Sequence, residues 1–333
     1  MAPKQGLRLG TADLTRADDG LLDATAGDDA IATRTPWELF WRRVRDDKLA
    51  LTALVFIALM LVIAILAPLV VKLLGAPPPD QASTDALSSD FGLPTGPSAE
   101  HYFGVDKVGQ DVFSRTIYGA RVSLEVAIIA TGLAVVGGTV LGMLAGYYRG
   151  WVDTVISRSL DVLLAFPILL LGIGLASACS TGEGCVRGLI QPGLTVVIFV
   201  IALATLPYVA RIIRGQVLSL REREFVESAR CNGASDRRII VREILPNLVA
   251  PIIVYTTLAL PQNILLEAAL SFLGVGVQPP TASWGQMIAD ASTDFDEIWW
   301  YMFFPGVALV LTVLAFNLVG DGLQDALNPR RRK

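Results

Sequence analysis

Residues 49–69, LALTALVFIALMLVIAILAPL, form an uncharged run dominated by aliphatic side chains. A helix needs about 20 such residues to cross a bilayer, because it rises about 1.5 Å per residue through a hydrocarbon layer about 30 Å thick. Residues 126–146, 189–209 and 298–320 are likewise long and uncharged, and 162–178 and 249–266 are slightly shorter runs of the same kind. The expectation is an all-α integral membrane protein with about six transmembrane helices. Composition agrees: charged residues make up 17% of the chain, against about 25% in soluble domains, and mean hydropathy is +0.55. The first run follows a long polar tail and exceeds the apolar core of about 7–15 residues in a cleaved signal peptide, so it is expected to stay as an anchor.

Basic residues set the direction of insertion, since Arg and Lys accumulate in cytoplasmic connections. Alternate connections hold Arg42, Arg43, Arg45, Arg149, Arg158, Arg211, Arg214, Arg221, Arg223, Arg230, Arg237, Arg238, Arg242, Arg330, Arg331 and Arg332. The opposite set holds only Lys72, Lys107, Arg115, Arg121 and Arg187. This division requires an even number of spans and places both termini in the cytoplasm. The protein is thus expected to be a multi-pass membrane protein.

Several chemistries are excluded. With His101 as the one histidine, no HExxH metal site can form within the chain, and no metal site is expected. None of Lys4, Lys48, Lys72, Lys107 and Lys333 follows a glycine, so a Walker A phosphate loop is missing. The cysteines form no CxxC pair, and no G-x-S-x-G nucleophile motif occurs. Any energy from ATP must come from another chain.

Residues 1–35 read as a polar, mildly acidic, disordered cytoplasmic tail. Residues 36–48 carry Trp37, Phe40, Trp41 and Val44 at helical spacing beside Arg42, Arg43 and Arg45. That pattern fits either an interfacial helix or the cytoplasmic start of the first span. The transmembrane region is expected over 49–330, with an external loop at 75–121. Gly138, Gly142 and Gly146 form a doubled GxxxG, which lets a neighbouring helix approach closely. Cys179 and Cys185 fall in a short external loop where a disulfide is permitted, although spacing alone leaves them bonded or free. Cys231, on the cytoplasmic side, is expected as a free thiol.

The basic connection 211–246 is the most informative for function. In REREFVESARCNG, residues 221–233, Phe225, Val226 and Ala229 lie on one helix face and Asn232-Gly233 supplies a stop. Ser235 can cap a second helix, with Asp236 in its first turn, an apolar stripe at Ile239, Ile240, Ile244 and Leu245, and Pro246 ending it. A short helix, a glycine turn and a helix entering the membrane can turn a push on the loop into movement of a span.

Glu227-Ser228-Ala229, Gly233 and Leu245-Pro246 occur in an order that resembles the EAA motif of bacterial ABC-importer permeases. This chain has Ser228 where that motif has alanine, and Glu243 where it usually has isoleucine. HYFGVDKVGQDVFSRTIYGARVSL (101–124) resembles the dipeptide/oligopeptide/nickel branch of those permeases. So do EAALSFLG (267–274) with Pro279-Pro280 and Ser283-Trp284-Gly285, and the ending Gly320-Asp321-Gly322-Leu323 with Asp325, Leu327, Pro329 and Arg330. WRRVRDDKLALTALV (41–55) resembles the start of the C-type member of the permease pair.

The resemblance implies a type I ABC-importer permease fold that forms half of a translocation path for di- or oligopeptides. The implied partners are a homologous permease, two cytoplasmic ATPase subunits that carry ATP and Mg, and an extracytoplasmic substrate-binding protein. The chain itself is expected to bind no cofactor. Glu227, Ser228, Ala229, Gly233, Leu245 and Pro246 are the implied coupling residues. Asp106, Gln110, Asp111, Arg115 and Arg121 are candidates for a hydrogen-bonded collar at the external mouth. Glu267, near the outer end of a span, is expected as local structural support within reach of interfacial water. Import of nickel, glutathione or another small solute on the same scaffold stays open, as does a stand-alone carrier or channel.

Overall fold

The structure, a computed structural model, describes residues 47–83, 87, 94–179 and 193–327. The expected tail 1–35, residues 36–46 of the proposed interfacial helix, Cys185, Pro329 and Arg330 lie outside the described residues. All described residues belong to one contact unit, Val44–Lys333. Among them the regular structure is helical: α1 (Lys48–Ile65), α2 (Ala67–Leu73), α3 (Val112–Tyr148), α4 (Gly150–Ala165), α5 (Ile168–Cys179) and α6 (Leu194–Leu220). These are followed by α7 (Glu224–Cys231), α8 (Asp236–Phe272), α9 (Trp284–Ala291) and α10 (Trp299–Leu327). Five of these, α1, α3, α6, α8 and α10, are long and apolar enough to span, and the bent pair α4–α5 is the sixth candidate.

The differences from the sequence expectation trace to proline and to capping. Residues 49–69 do not form one helix: α1 stops before Leu66, and Pro68 sits in the first turn of α2. A proline there has no N–H to give the ladder and its ring crowds the carbonyl four residues back. Within 162–178, Pro167 breaks the run, with Phe166 in extended geometry and α4 and α5 bent by 86°. The external loop is shorter than 75–121 because α3 begins at Val112, well before the apolar run starts at Val126. Asp111 sets that start by accepting the Ser114 N–H on Oδ2 at 2.8 Å. Asp47 caps α1 in the same way through Leu49 and Ala50.

The bundle is organised around α3 against α6. A Cβ on Gly142 would meet the Ala210 carbonyl oxygen at 2.6 Å, and one on Gly138 or Gly146 would meet Val209 or Val217 at 2.8 Å. The doubled GxxxG is therefore a packing face that brings two backbones together. Against this pair, α8 and α5 bury Leu270, Val200 and Ile201, while α1 and α10 close a second core with Ile57, Leu124, Ile264 and Phe316.

One end of the bundle carries residues 221–235 and is called the basic end. The far end carries residues 74–83, 94–111 and α9. There Trp284 is fully buried and donates Nε1–H to the Thr116 carbonyl at 3.0 Å, while Trp300 donates to the Val105 carbonyl at 3.0 Å. A Cβ on Gly285 would lie 2.5 Å from the Ala268 carbonyl oxygen, so α9 rests directly on α8.

Gly142→Leu is expected to separate α3 from α6 and lower the thermal midpoint of the detergent-solubilised protein, since overpacking costs about 1–3 kcal/mol or more. Gly132→Ala, where a Cβ meets open space, is the control and is expected to leave the midpoint unchanged.

Candidate functional site

The basic end contains the helix and turn read from 221–233. The α7 helix ends in a closed glycine turn: Gly233 has φ 72°, its N–H bonds the Arg230 carbonyl at 2.9 Å, and the Ala234 N–H bonds the Ala229 carbonyl at 3.0 Å. This is the paired-bond ending that a left-handed residue after the cap permits. Only part of the expected apolar face faces inward. Val226 is fully buried and Ala229 packs beside it, whereas Phe225 is 37% exposed. Glu227 and Ser228 point to the surface.

Two details of the second helix differ from expectation. Ser235 occupies the position before α8, but its side chain makes no capping bond. Nor does Pro246 end the helix, which runs on from Asp236 to Phe272. Residues Ile239–Ile244 widen into a π turn, and the Leu245 N–H bonds the Ile240 carbonyl five residues back. That widening accommodates a proline that cannot donate to the ladder. The expected stripe is present: Ile239 and Ile244 are fully buried, Ile240 nearly so, and Leu245 packs beside them, while Pro246 is exposed.

The apolar core at this end joins α7 to three spans. Val226 of α7 packs with Ile239, Ile240, Ile244 and Leu248 of α8, Met143 and Tyr147 of α3, and Val209, Ile213 and Val217 of α6. Tyr147 is its polar fastening. Its hydroxyl donates to Asp236 Oδ1 at 2.7 Å, its carbonyl accepts from the Arg221 guanidinium, and the guanidinium carbons of Arg221 and Arg230 lie 5.6 and 5.5 Å from its ring centroid. Two cations on one aromatic ring add to the packing. Nearby, Arg214 holds Asp153 of α4 in a bidentate pair at 2.5 and 2.6 Å, and Arg211 pairs with Asp161. Both arginines belong to α6, which shortens the non-helical part of the connection.

At the far end the expected collar is partly assembled. Asp106 accepts the backbone N–H groups of Val108 and Gln110 at 2.9 and 2.8 Å, and its other oxygen lies 3.7 Å from Arg115 Nε. Arg115 also donates to Gln110 Oε1. Burial pushes the Asp106 carboxyl above its ordinary pKa, against the downward pull of those N–H groups and Arg115. Asp111 caps α3 and lies 2.9 Å from His101 Nδ1, so it belongs to the loop's frame. Arg121 is exposed, and no hydrogen bond or ion pair joins it to this group among the described residues. Six residues along a helix turn it about 240° away from Arg115.

Glu267 does not reach interfacial water. It is fully buried beneath α9, accepts from Ser271 Oγ at 2.8 Å, and has the Ser123 and Ser283 hydroxyls against it. The close approach of Gly285 to α8 seals that site. Cys231 is a free exposed thiol, and Cys179 is disulfide-bonded.

Comparison with known proteins decides the family. Residues 138–333 match the family described as "Binding-protein-dependent transport system inner membrane component", and 35–89 match the "N-terminal TM domain of oligopeptide transport permease C". The chain belongs to this permease family. It is 40% identical over 305 residues to the dipeptide transport system permease protein DppC of Alkalihalophilus pseudofirmus, covering 92% of this chain and 93% of that one. It is 43% identical over 299 residues to the glutathione transport system permease protein GsiD of Escherichia coli, covering 89% and 91%. A solved MetNI methionine ABC transporter chain shares the fold, with TM-score 0.54 and 17% identity over 65% of this chain and 98% of that one. This permease is a C-type ABC-importer subunit and a multi-pass inner membrane protein.

Sequence reasoning missed Tyr147, the residue that fastens the permease's short helix to its spans. The available signal was its place directly after Gly146, where the close-packed face ends among arginines. Tyr147→Phe removes only the bond to Asp236 and is expected to cost about 1 kcal/mol. Tyr147→Ala also empties the ring site and is expected to cost on the order of 3 kcal/mol. Thermal unfolding of the two variants measures the difference, and equal losses would contradict a role for the ring.

Proposed function

We propose that this chain is one of two permease subunits in an ATP-driven importer of di- and oligopeptides, with its basic end and both termini in the cytoplasm. It forms half of the translocation path with a homologous permease. Two ATPase subunits hold ATP and Mg and close on ATP, and an extracytoplasmic binding protein delivers cargo. The chain itself has no ATPase site and binds no cofactor.

The observation that supports coupling is the two-faced α7. Its inner face is buried against α3, α6 and α8, and its outer face leaves Phe225, Glu227 and Ser228 exposed. A force applied to that outer face reaches α8 through a packed core, which transmits displacement because interiors compress little. In this reading Glu227, Ser228 and Ala229 present the docking surface. Gly233 fixes the angle at which α7 meets α8, and Leu245 and Pro246 sit where α8 changes from π to α geometry.

Peptide cargo is supported by the permease that is named for dipeptide transport. Import of glutathione, itself a tripeptide, is the second reading, favoured by the similarity to the glutathione permease. Uptake by the complete complex in proteoliposomes, with ATP or a non-hydrolysable analogue and with this chain present or omitted, tests the proposal. Uptake is expected to need both hydrolysis and the chain, and competition between dipeptides and glutathione ranks the cargo. Equal flux without hydrolysis would contradict it.

Gly233→Val tests the coupling element separately. A Cβ there meets open space, so the cost is backbone strain of about 1–3 kcal/mol at a positive φ. The variant is expected to insert normally and to lose about tenfold in peptide uptake per ATP hydrolysed. Unchanged uptake in a well-expressed complex would sink the assignment.

A further inference from the structure

The bend between α4 and α5 puts irregular backbone within an apolar span, which a membrane tolerates only where that backbone is buried in protein or borders water. Phe166 and Ile168, on either side of the break, wall a cleft of about 530 Å³ whose other walls come from α6 and α8. Five hydrogen-bonding side chains line it: Thr205, Tyr208, Tyr255, Gln262 and Asn263. Polar groups within a span face a bundle interior or an aqueous cavity, because exposing them to lipid is costly.

These five divide into anchors and open groups. Asn263 is buried and committed at both ends of its amide: it accepts from Thr205 Oγ1 at 2.8 Å and donates to Thr131 Oγ1 at 2.7 Å, tying α8 to α6 and α3. Tyr208, Tyr255 and Gln262 have no hydrogen-bond partner among the described residues, and Tyr208 and Gln262 are exposed to the cleft. No Asp, Glu, Lys, Arg or His lines it among the described residues.

We propose that Gln262, Tyr208 and Tyr255 contact the backbone amides of a passing peptide, and that this uncharged wall makes the permease indifferent to the charge of the peptide's side chains. The inference rests on the reading of the chain as a peptide permease. A carboxamide both donates and accepts, as does a phenol, and every peptide unit offers one N–H and one C=O whatever side chain it carries. A wall without fixed charge pairs with no cargo ion and repels none. Gln262 sits next to the anchored Asn263, so its position is held by the Thr131–Asn263–Thr205 bridge rather than by the cargo.

The experiment uses the complete reconstituted complex and three dipeptides of similar size, one cationic, one neutral and one anionic, each delivered at saturation. The unaltered complex is expected to turn all three over at similar rates. Gln262→Glu is expected to slow the anionic peptide relative to the cationic one by about tenfold, and Gln262→Lys to reverse that ratio. Should either variant fail to assemble, Gln262→Cys in a Cys231→Ser background receives the charge after folding, from an anionic or a cationic thiosulfonate reagent. Ratios that stay unchanged while all three rates fall together would overturn the inference and leave peptide import standing. So would an introduced thiol that stays unreactive in every nucleotide state, which would mean that lipid or the partner permease covers the cleft. Failure of the unaltered complex to take up any peptide with ATP would overturn the cargo reading beneath it.

Discussion

The close approach of α3 to α6 is the contact on which the rest of the structure depends. Gly138, Gly142 and Gly146 leave three successive turns of one face of α3 without a side chain, so the α6 backbone and its valines occupy that space. In a membrane, association rests on packing and interhelical hydrogen bonds, since the lipid is as apolar as the helices. The same contact positions the corner of the bundle at its basic end. Tyr147 comes next along the chain and meets Arg221 at the end of α6 and Asp236 at the start of α8. The Val226 core forms in the corner these three helices make, and α7 is thereby welded to the spans rather than hung from a loop.

The two ends of the bundle use different means toward related purposes. At the basic end, an apolar core with one aromatic fastening leaves the outer face of α7 free. At the far end, buried tryptophans and a buried Glu267 hold α9 and the 94–111 segment tightly onto the helix ends. Between them, α4 and α5 break at Pro167 and open a cleft beside α6 and α8. The two ends of the permease are therefore firmly packed, and its middle is less filled. That arrangement suits a subunit whose path must open and close while its two ends keep their shape.

Much of this was legible in the residues. Uncharged runs located the spans, the glycine spacing located the packing face, and Asn232-Gly233 located the α7 turn, because each rests on side-chain polarity or backbone geometry within a short stretch of chain. Prolines act as breaks only in part. Pro167 and Pro68 interrupt their runs, but Pro207, Pro251, Pro261 and Pro305 lie inside continuous helices, and Pro246 follows a π turn. Which outcome a proline has depends on neighbouring helices that a single run of sequence does not display. Burial of Glu267 and the separation of Arg121 from the collar were equally hidden, since one depends on α9 folding back and the other on α3 beginning early. Tyr147 joins residues 74 and 89 positions away in the chain, and no local pattern announces that.

The central claim is that α7 and the adjoining end of α8 move as one body. Nitroxide labels at Ser228→Cys and Arg242→Cys, in the assembled complex with Cys231 replaced by serine, measure it by pulsed dipolar spectroscopy. The distance is compared between the nucleotide-free complex and one trapped after ATP hydrolysis, with trapping verified by loss of turnover. The weld through Val226, Ile239, Ile244 and Tyr147 predicts one unchanged distance distribution in both states. A shifted or split distribution on trapping would contradict it, because α7 would then swing on its glycine turn instead of carrying α8 with it.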